Sequence, residues 1–266
     1  MKSAKIPYHL PLPKINYGKS KLSGRIEGQK FFYLINFLGA VMTQEQFPEG
    51  TWGKIKQKLI DSKQQWAKEK RLITGKSGDP KQDRLPPGQR EVKNWPVLDL
   101  GIQPDISMET WQLRIDGLVK KPTTWNWQQF SQFAIQDFTS DIHCVTAWSR
   151  FDNHWQGVST RAVLEAVEPL DRAKFVICHS HDGYTTNLTL EEFAAEDALL
   201  ALAWEGKPIS REHGGPVRVV VPKLYFWKSA KWLKSIELSD LDKPGYWEVR
   251  GYHNHGNPWE EERYGR

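Results

Sequence analysis

The sequence predicts an α+β domain in which strands and short helices are mixed irregularly, and three observations carry that expectation. Residues 110–116, TWQLRID, alternate Trp111, Leu113 and Ile115 against Gln112, Arg114 and Asp116, the period of a half-buried strand, and Asp116-Gly117 closes it. Residues 217–222, VRVVVP, are a continuous apolar run stopped by proline, as expected of a strand covered on both faces. Helical signals are short. Val158-Ser159 before TRAVLEAVEP reads as a staple and cap on a helix ended by Pro169, and TLEE at 189–192 is a capping box. Regular alternation of strand and helix is missing, which argues against a doubly wound sheet.

Taken in order, residues 1–30 are rich in Lys, Pro and Gly and read as irregular. The apolar run FFYLINFLGAVM, 31–42, is short for a membrane span and is interrupted by Asn36 and Gly39. As a signal peptide it would need an abnormally long leader, with no small-x-small cleavage site after it. The chain holds no Arg-Arg dipeptide, hence no twin-arginine signal. The expectation is a cytoplasmic protein in which this segment is buried or rests on a membrane. Trp52, Ile55, Leu59 and Trp66 fall at helical spacing, and Thr74-Gly75 supplies a stop. GKSGDPKQDRLPPGQ, 75–89, reads as a linker, so the chain divides into an arm, 1–75, and a body, 76–266. Within the body, KFVICHSH at 174–181 is a strand turning at Asp182-Gly183. ALLALAWEGKPI at 198–209 is strand, turn at Glu205-Gly206, and strand.

Charge divides the same way. Up to Lys93 there are 19 Lys and Arg against 8 Asp and Glu; from Asn94 onward, 18 against 24. The basic arm is expected to rest on the acidic body, to meet an anionic membrane surface peripherally, or to stay solvated. Nucleic acid is not the expected partner, because the positive charge and most of the 13 tryptophans lie in different halves.

Two cysteines, Cys144 and Cys178, make no disulfide framework. In DIHCVTAWSR, 141–150, the Cys144 thiol reads as a buried hydrophobe, half of a disulfide, a nucleophile or a metal ligand. His143 is poorly placed as its base, since neighbours in a strand point to opposite faces. Zinc on Cys144, Cys178, His179 and His181 lacks the usual ligand spacing. Arg218 stands in an otherwise apolar strand, where its partner is either a protein carboxylate or an anionic ligand. The following segment adds Lys228, Ser229 and Lys231, and the Gly214-Gly215-Pro216 turn before it allows close backbone approach to a ligand.

Together, HCVTAWS at 143–149 and HGGPVRVVVPKLYFWKSAKW at 213–232 resemble the molybdopterin-binding domain of the sulfite oxidase family, nearest the branch of the bacterial periplasmic methionine sulfoxide reductase catalytic subunit. The likeness runs from DPKQDRLPPGQ to the tail HNHGNPWEEERY and leaves the first 75 residues uncovered. It implies the mixed α+β catalytic fold of that family and a molybdenum-molybdopterin cofactor, with Cys144 as the protein's thiolate ligand to the metal. It further implies that Ser180, His213, Arg218, Ser229, Ala230 and Lys231 hold the pterin and its phosphate. The looser match of NWPVLDLG, 94–101, adds Asn94 and Asp99.

The departures bear on substrate. Sulfite oxidases follow their cysteine with Ala-Gly-Asn-Arg-Arg, whereas this chain continues Val145-Thr146-Ala147-Trp148-Ser149. The sulfoxide reductase has Arg-Cys-Val-Glu-Ala-Trp, where this chain has His143 and Thr146 at the charged places; it also has Asn and Thr where this chain has His213 and Ser180. The expected activity is oxygen-atom removal from small S-oxides or N-oxides; Trp148 and Trp155 read either as core or as lining its pocket, and His179 and His181 either as solvated loop residues or as a proton source. No haem-binding domain precedes the body, so electrons are expected from a separate protein partner. The competing readings are a sulfite-oxidising enzyme, a non-catalytic carrier of the cofactor, and a zinc-stabilised structural domain.

Overall fold

Two sheets packed through two apolar clusters build the body. The computed structural model describes residues 84–265, together with Gln57 and Asp61, which are helical. The other readings made for the first 83 residues, the arm, the apolar run, most of the helix and the boundary at 75/76, lie outside the described residues. Among the described residues no helix is long and apolar enough to cross a membrane.

The first sheet has six strands. Its path runs β1 (Arg90–Glu91), β5 (Trp148–Ser159), β8 (Leu199–Trp204), β10 (Arg218–Val220), with β4 (Ile135–Cys144) paired to β5 and β9 (Lys207–Pro208) to β8. The second sheet has five, in the order β3 (Thr123–Asn126), β2 (Gln112–Gly117), β11 (Leu233–Ser239), β6 (Phe175–Ser180), β7 (Thr185–Thr189). From Arg84 on, three short α-helices, α1 (Trp127–Phe130), α2 (Thr160–Val167) and α3 (Leu190–Phe193), and three 3-10 turns, Arg211–His213, Phe226–Lys228 and Glu248–Arg250, complete the described set. Each sheet contains one parallel pair, β1 with β5 and β11 with β2, and is otherwise antiparallel. This is the mixed architecture expected of the sulfite oxidase-type fold.

The local signals act as read. Ser159 caps α2 through Arg161 N–H, and Thr189 with Glu192 forms both halves of the capping box on α3. The stretch read as a linker is, from Arg84 on, part of the body. Leu85 and Gln89 are buried, and Arg84 pairs with Asp141 and Asp152. Proline and glycine report backbone conformation there, not exposure.

The central strands are buried on both sides because each face meets a different cluster. Leu200 and Leu202 belong to one with Cys178, Val219 and Leu233; Leu199 and Ala201 belong to the other with Cys144, Trp148 and Val220. Strand period two therefore turns Arg218 toward the same side as Val220, the side that holds Cys144. The two cysteines occupy different clusters, so Cys178 is not brought to Cys144, and no metal-holding group of His, Cys, Asp and Glu occurs among the described residues.

The tail 253–264 is fastened near α3. His255 lies between Glu192 and Glu262, with Nδ1 2.7 Å from the latter. The hydrogen bond with Glu192, then the charges of both carboxylates, raise its pKa from 6.5 to about 9 against the opposing effect of burial. A raised folded-state pKa contributes stability that is complete below 6.5 and lost as pH climbs through 9. The melting temperature should therefore fall across that window, and less steeply in His255→Ala; equal slopes in the two proteins would refute the fastening role.

Candidate functional site

Cys144 ends β4, Trp148 begins β5, and three residues join them. Ala147 adopts φ 65°, and its N–H donates to the Cys144 carbonyl at 3.1 Å, closing a tight hairpin. The register sets Cys144 opposite Trp148 and His143 opposite Ser149, which places the two pairs on opposite faces. His143 thus faces away from the thiol, with Nδ1 2.8 Å from Ser149 Oγ, and burial lowers its pKa to about 4.

On the other face, Cys144 and Trp148 line a cleft of about 840 Å³, its open mouth included. Its walls come from residues 95–100, the hairpin turn, and the segments around Ser180, His213, Trp227 and Trp247. Eight of the lining side chains are aromatic: Trp95, Trp148, Tyr184, Phe226, Trp227, Trp232, Trp247 and Tyr252. The charged ones balance, Asp99 and Asp182 against Arg218 and Lys231.

Arg218 is 2% exposed, and its donors reach backbone oxygens: Nη1 to His213 at 2.7 Å and Nη2 to Ser229 at 2.9 Å. The guanidinium also lies over Phe226 and Trp95 at 4.2 and 5.3 Å. No carboxylate forms an ion pair with it among the described residues, and burial lowers its pKa to about 9. The structural ion pair considered from sequence is thus replaced by carbonyl contacts, leaving a buried cation at the wall of a cleft. Ser180 Oγ and Trp148 Nε1 are buried polar atoms at that wall without a hydrogen-bond partner. A buried cation, two unused polar groups and a thiol suit a ligand that is anionic, rich in acceptors and able to bond sulfur. The molybdenum-pterin group meets that description.

The remaining sequence-expected residues divide. Lys231 lines the cleft while its Nζ donates to the Glu212 carbonyl at 2.7 Å, and Ser229 lines it while its Oγ accepts from Val221 N–H at 3.0 Å. His213 packs against Trp95 with ring centroids 3.9 Å apart and planes tilted by 30°. Its Nδ1 meets Ser210 Oγ at 2.9 Å and its Nε2 the Trp95 carbonyl at 3.3 Å, so the proton belongs on Nε2. Burial and the Arg218 charge lower its pKa to about 4. Asp99 lines the wall but spends both oxygens on its own loop, accepting from Gly101 N–H and Gln103 Nε2 at 2.8 Å each. Ala230 is buried in the Cys178 cluster and absent from the wall, and Asn94 is exposed and also absent from it.

Four other readings resolve away from the cleft. Trp155 packs edge-on against Trp95 and donates to Ser140 Oγ at 3.0 Å, without reaching the cleft. Neither His179 nor His181 lines it; the former sits 3.8 Å from Glu237 and the latter is exposed. Lys228 turns away from the cleft to a buried ion pair with Glu248 at 2.7 Å. The Gly-Gly turn serves the chain itself. A Cβ on Gly214 would lie 2.6 Å from Lys231 Cβ, and one on Gly215 2.1 Å from the Ile209 carbonyl.

Two residues that sequence reasoning missed hold the Cys144 turn from behind. Gln89 Nε2 donates to the Cys144 carbonyl at 3.0 Å. Arg263, buried in the tail, donates through Nη1 to the Val145 carbonyl at 2.6 Å and through Nη2 to the Pro87 carbonyl at 3.2 Å. The turn is thereby pinned by residues 55 and 118 positions away in sequence.

The family model described as the oxidoreductase molybdopterin binding domain matches residues 100–247. Among curated proteins, the chain is similar to one from Bacillus subtilis (strain 168) called "Uncharacterized oxidoreductase YuiH". They are 44% identical over 182 residues, which is 68% of this chain and 92% of that protein. Among solved structures, the sulfane dehydrogenase SoxCD from Paracoccus pantotrophus aligns with a TM-score of 0.49 and 19% identity, over 53% of this chain and 41% of that one. On the family match and the curated relative, the chain belongs to the sulfite oxidase family of molybdopterin-binding oxidoreductases.

Proposed function

We propose that this oxidoreductase removes an oxygen atom from small, largely neutral S-oxides or N-oxides, with electrons delivered by a separate protein partner in the cytoplasm. The observation that carries the reading is the lining of the cleft beside Cys144. Eight aromatic side chains form its walls, and its two cations lie on the segments read as phosphate-binding. Once Arg218 and Lys231 engage a phosphate, the charged wall groups left are Asp99 and Asp182, which repel an anion such as sulfite. Arg150, the nearest fixed cation in sequence, is absent from the wall and pairs with Glu205 at 3.3 Å.

Molybdenum on a pterin dithiolene supplies two-electron oxygen-atom transfer when bound. Cys144 would be its thiolate ligand from the protein, while Arg218 and Lys231 hold the phosphate and Ser180 Oγ serves an acceptor or donor of the pterin. The aromatic walls exclude water and receive the apolar substituents of the substrate. His213, neutral and bonded at both ring nitrogens, keeps Trp95 and Arg218 in place.

Turnover of a sulfoxide with reduced viologen, compared with sulfite and an artificial acceptor at matched concentration, tests the reading. Faster sulfoxide turnover is expected; faster sulfite turnover overturns it, and silence with both favours a cofactor carrier. The phosphate role has its own check. One charge-assisted hydrogen bond contributes roughly 1.5–3 kcal/mol, so Arg218→Met should weaken cofactor retention by tens of fold. Equal molybdenum occupancy in Arg218→Met and wild type would contradict it.

A further inference from the structure

Thr146 sits in the middle of the turn that carries Cys144. The residue is 2% exposed, it lines the cleft, and its Oγ1 lies 3.2 Å from Cys144 Sγ. Little in the turn is free to move. Ala147 N–H closes it onto the Cys144 carbonyl, Gln89 holds the same carbonyl, and Arg263 holds the next one. The fold thus holds the backbone of the turn, and there the hydroxyl lies against the sulfur.

Either atom of this pair is able to donate while Cys144 is a thiol. A metal-bound thiolate has no proton, so the hydroxyl must then be the donor and the sulfur the acceptor. A hydrogen bond to a ligating sulfur draws electron density away from the metal and favours its reduced state. We infer that the Thr146 hydroxyl donates to the Cys144 thiolate and raises the reduction potential of the metal centre, acting as a tuning residue for the reaction proposed above. It makes the centre easier to load with electrons from the partner.

The test is redox titration of the holoenzyme followed by the electron paramagnetic resonance of molybdenum. Thr146→Val keeps the shape and removes the donor. Its midpoint potential should fall by the equivalent of roughly a tenfold change in the redox equilibrium, about 59 mV for a one-electron step, and the spectrum should shift. Thr146→Ser, which keeps the hydroxyl, should restore both. The serine variant also guards against a valine variant that loads poorly, because Thr146→Ser and Thr146→Ala then make the same comparison. An unchanged potential and spectrum in a loaded Val or Ala variant overturns the inference while leaving the function intact. Wild type purified without molybdenum, or a Cys144→Ala variant with an unaltered spectrum, overturns the reading beneath it and this inference with it.

Discussion

Cys144→Ala is expected to remain folded and lose nearly all turnover. The substitution removes a single sulfur atom at the cleft wall, and the turn is held through backbone atoms that it leaves in place: Cys144 O by Gln89 and Ala147, Val145 O by Arg263. A metal centre contributes several kcal/mol of transition-state stabilisation, so losing its protein ligand should cost on the order of a hundredfold or more. Cys178→Ala provides the contrast. That thiol is fully buried in the opposite cluster, and burial pushes its pKa up to about 12, far from reactive thiolate character. Activity and melting temperature measured together check both. Full turnover in Cys144→Ala would remove the thiolate assignment.

Lys228→Met is expected to produce the largest loss of stability. The Lys228 ammonium and the Glu248 carboxylate pair at 2.7 Å with side chains only 1% exposed each. Lys228 Nζ also donates to the Asn187 carbonyl at 2.9 Å, to Asn187 Oδ1 at 3.0 Å and to the Asn254 carbonyl. Glu248 Oε1 in turn accepts from Thr186 Oγ1 and Trp227 Nε1, each at 3.0 Å. Removing one partner leaves the other charge buried alone, which costs about 3–5 kcal/mol. For a body of this size that is a fall in melting temperature of roughly 6–20 °C. The double variant Lys228→Met/Glu248→Leu should recover much of it, because no uncompensated charge then remains. A drop of a degree or less in Lys228→Met would show that water reaches the pair. Since Trp227 is both a cleft wall and a donor to Glu248, the single variant should also loosen the site.

Local chemistry made much of the fold legible from sequence. The alternation at 110–116, the capping box at Thr189 and the Glu205-Gly206 turn each depend on neighbours a few residues away, and each forms as read. Arg218 was conspicuous because a cation in an apolar strand requires a partner; the structure shows that it faces the cleft. The β4–β5 hairpin was harder to see. Its turn, Val145-Thr146-Ala147, lacks the Gly, Asn or Asp that usually marks a left-handed position, and Ala147 occupies that position all the same. Bringing Cys144 and Arg218 to one cleft needed either a family resemblance or coordinates, because strand order is not written in local pattern. Gln89 and Arg263 left no signal at all. Both are ordinary polar residues in stretches that read as linker and tail, and only tertiary contact gives them a task. His179 and His181 are the converse case: both flank Ser180, which lines the cleft, yet neither lines it.

The clamp on the Cys144 turn also orders events during synthesis. A growing chain emerges from the ribosome in sequence, so β4, β5 and the thiol between them are outside long before residue 263 exists. The Arg263 bond to Val145 closes only after 118 further residues have been made, when both sheets already have all their strands. Until then the hairpin can pair, but its tip is held from the Gln89 side alone. The Arg263 bond is thus among the latest contacts open to the nascent body, and it closes on the turn that carries Cys144.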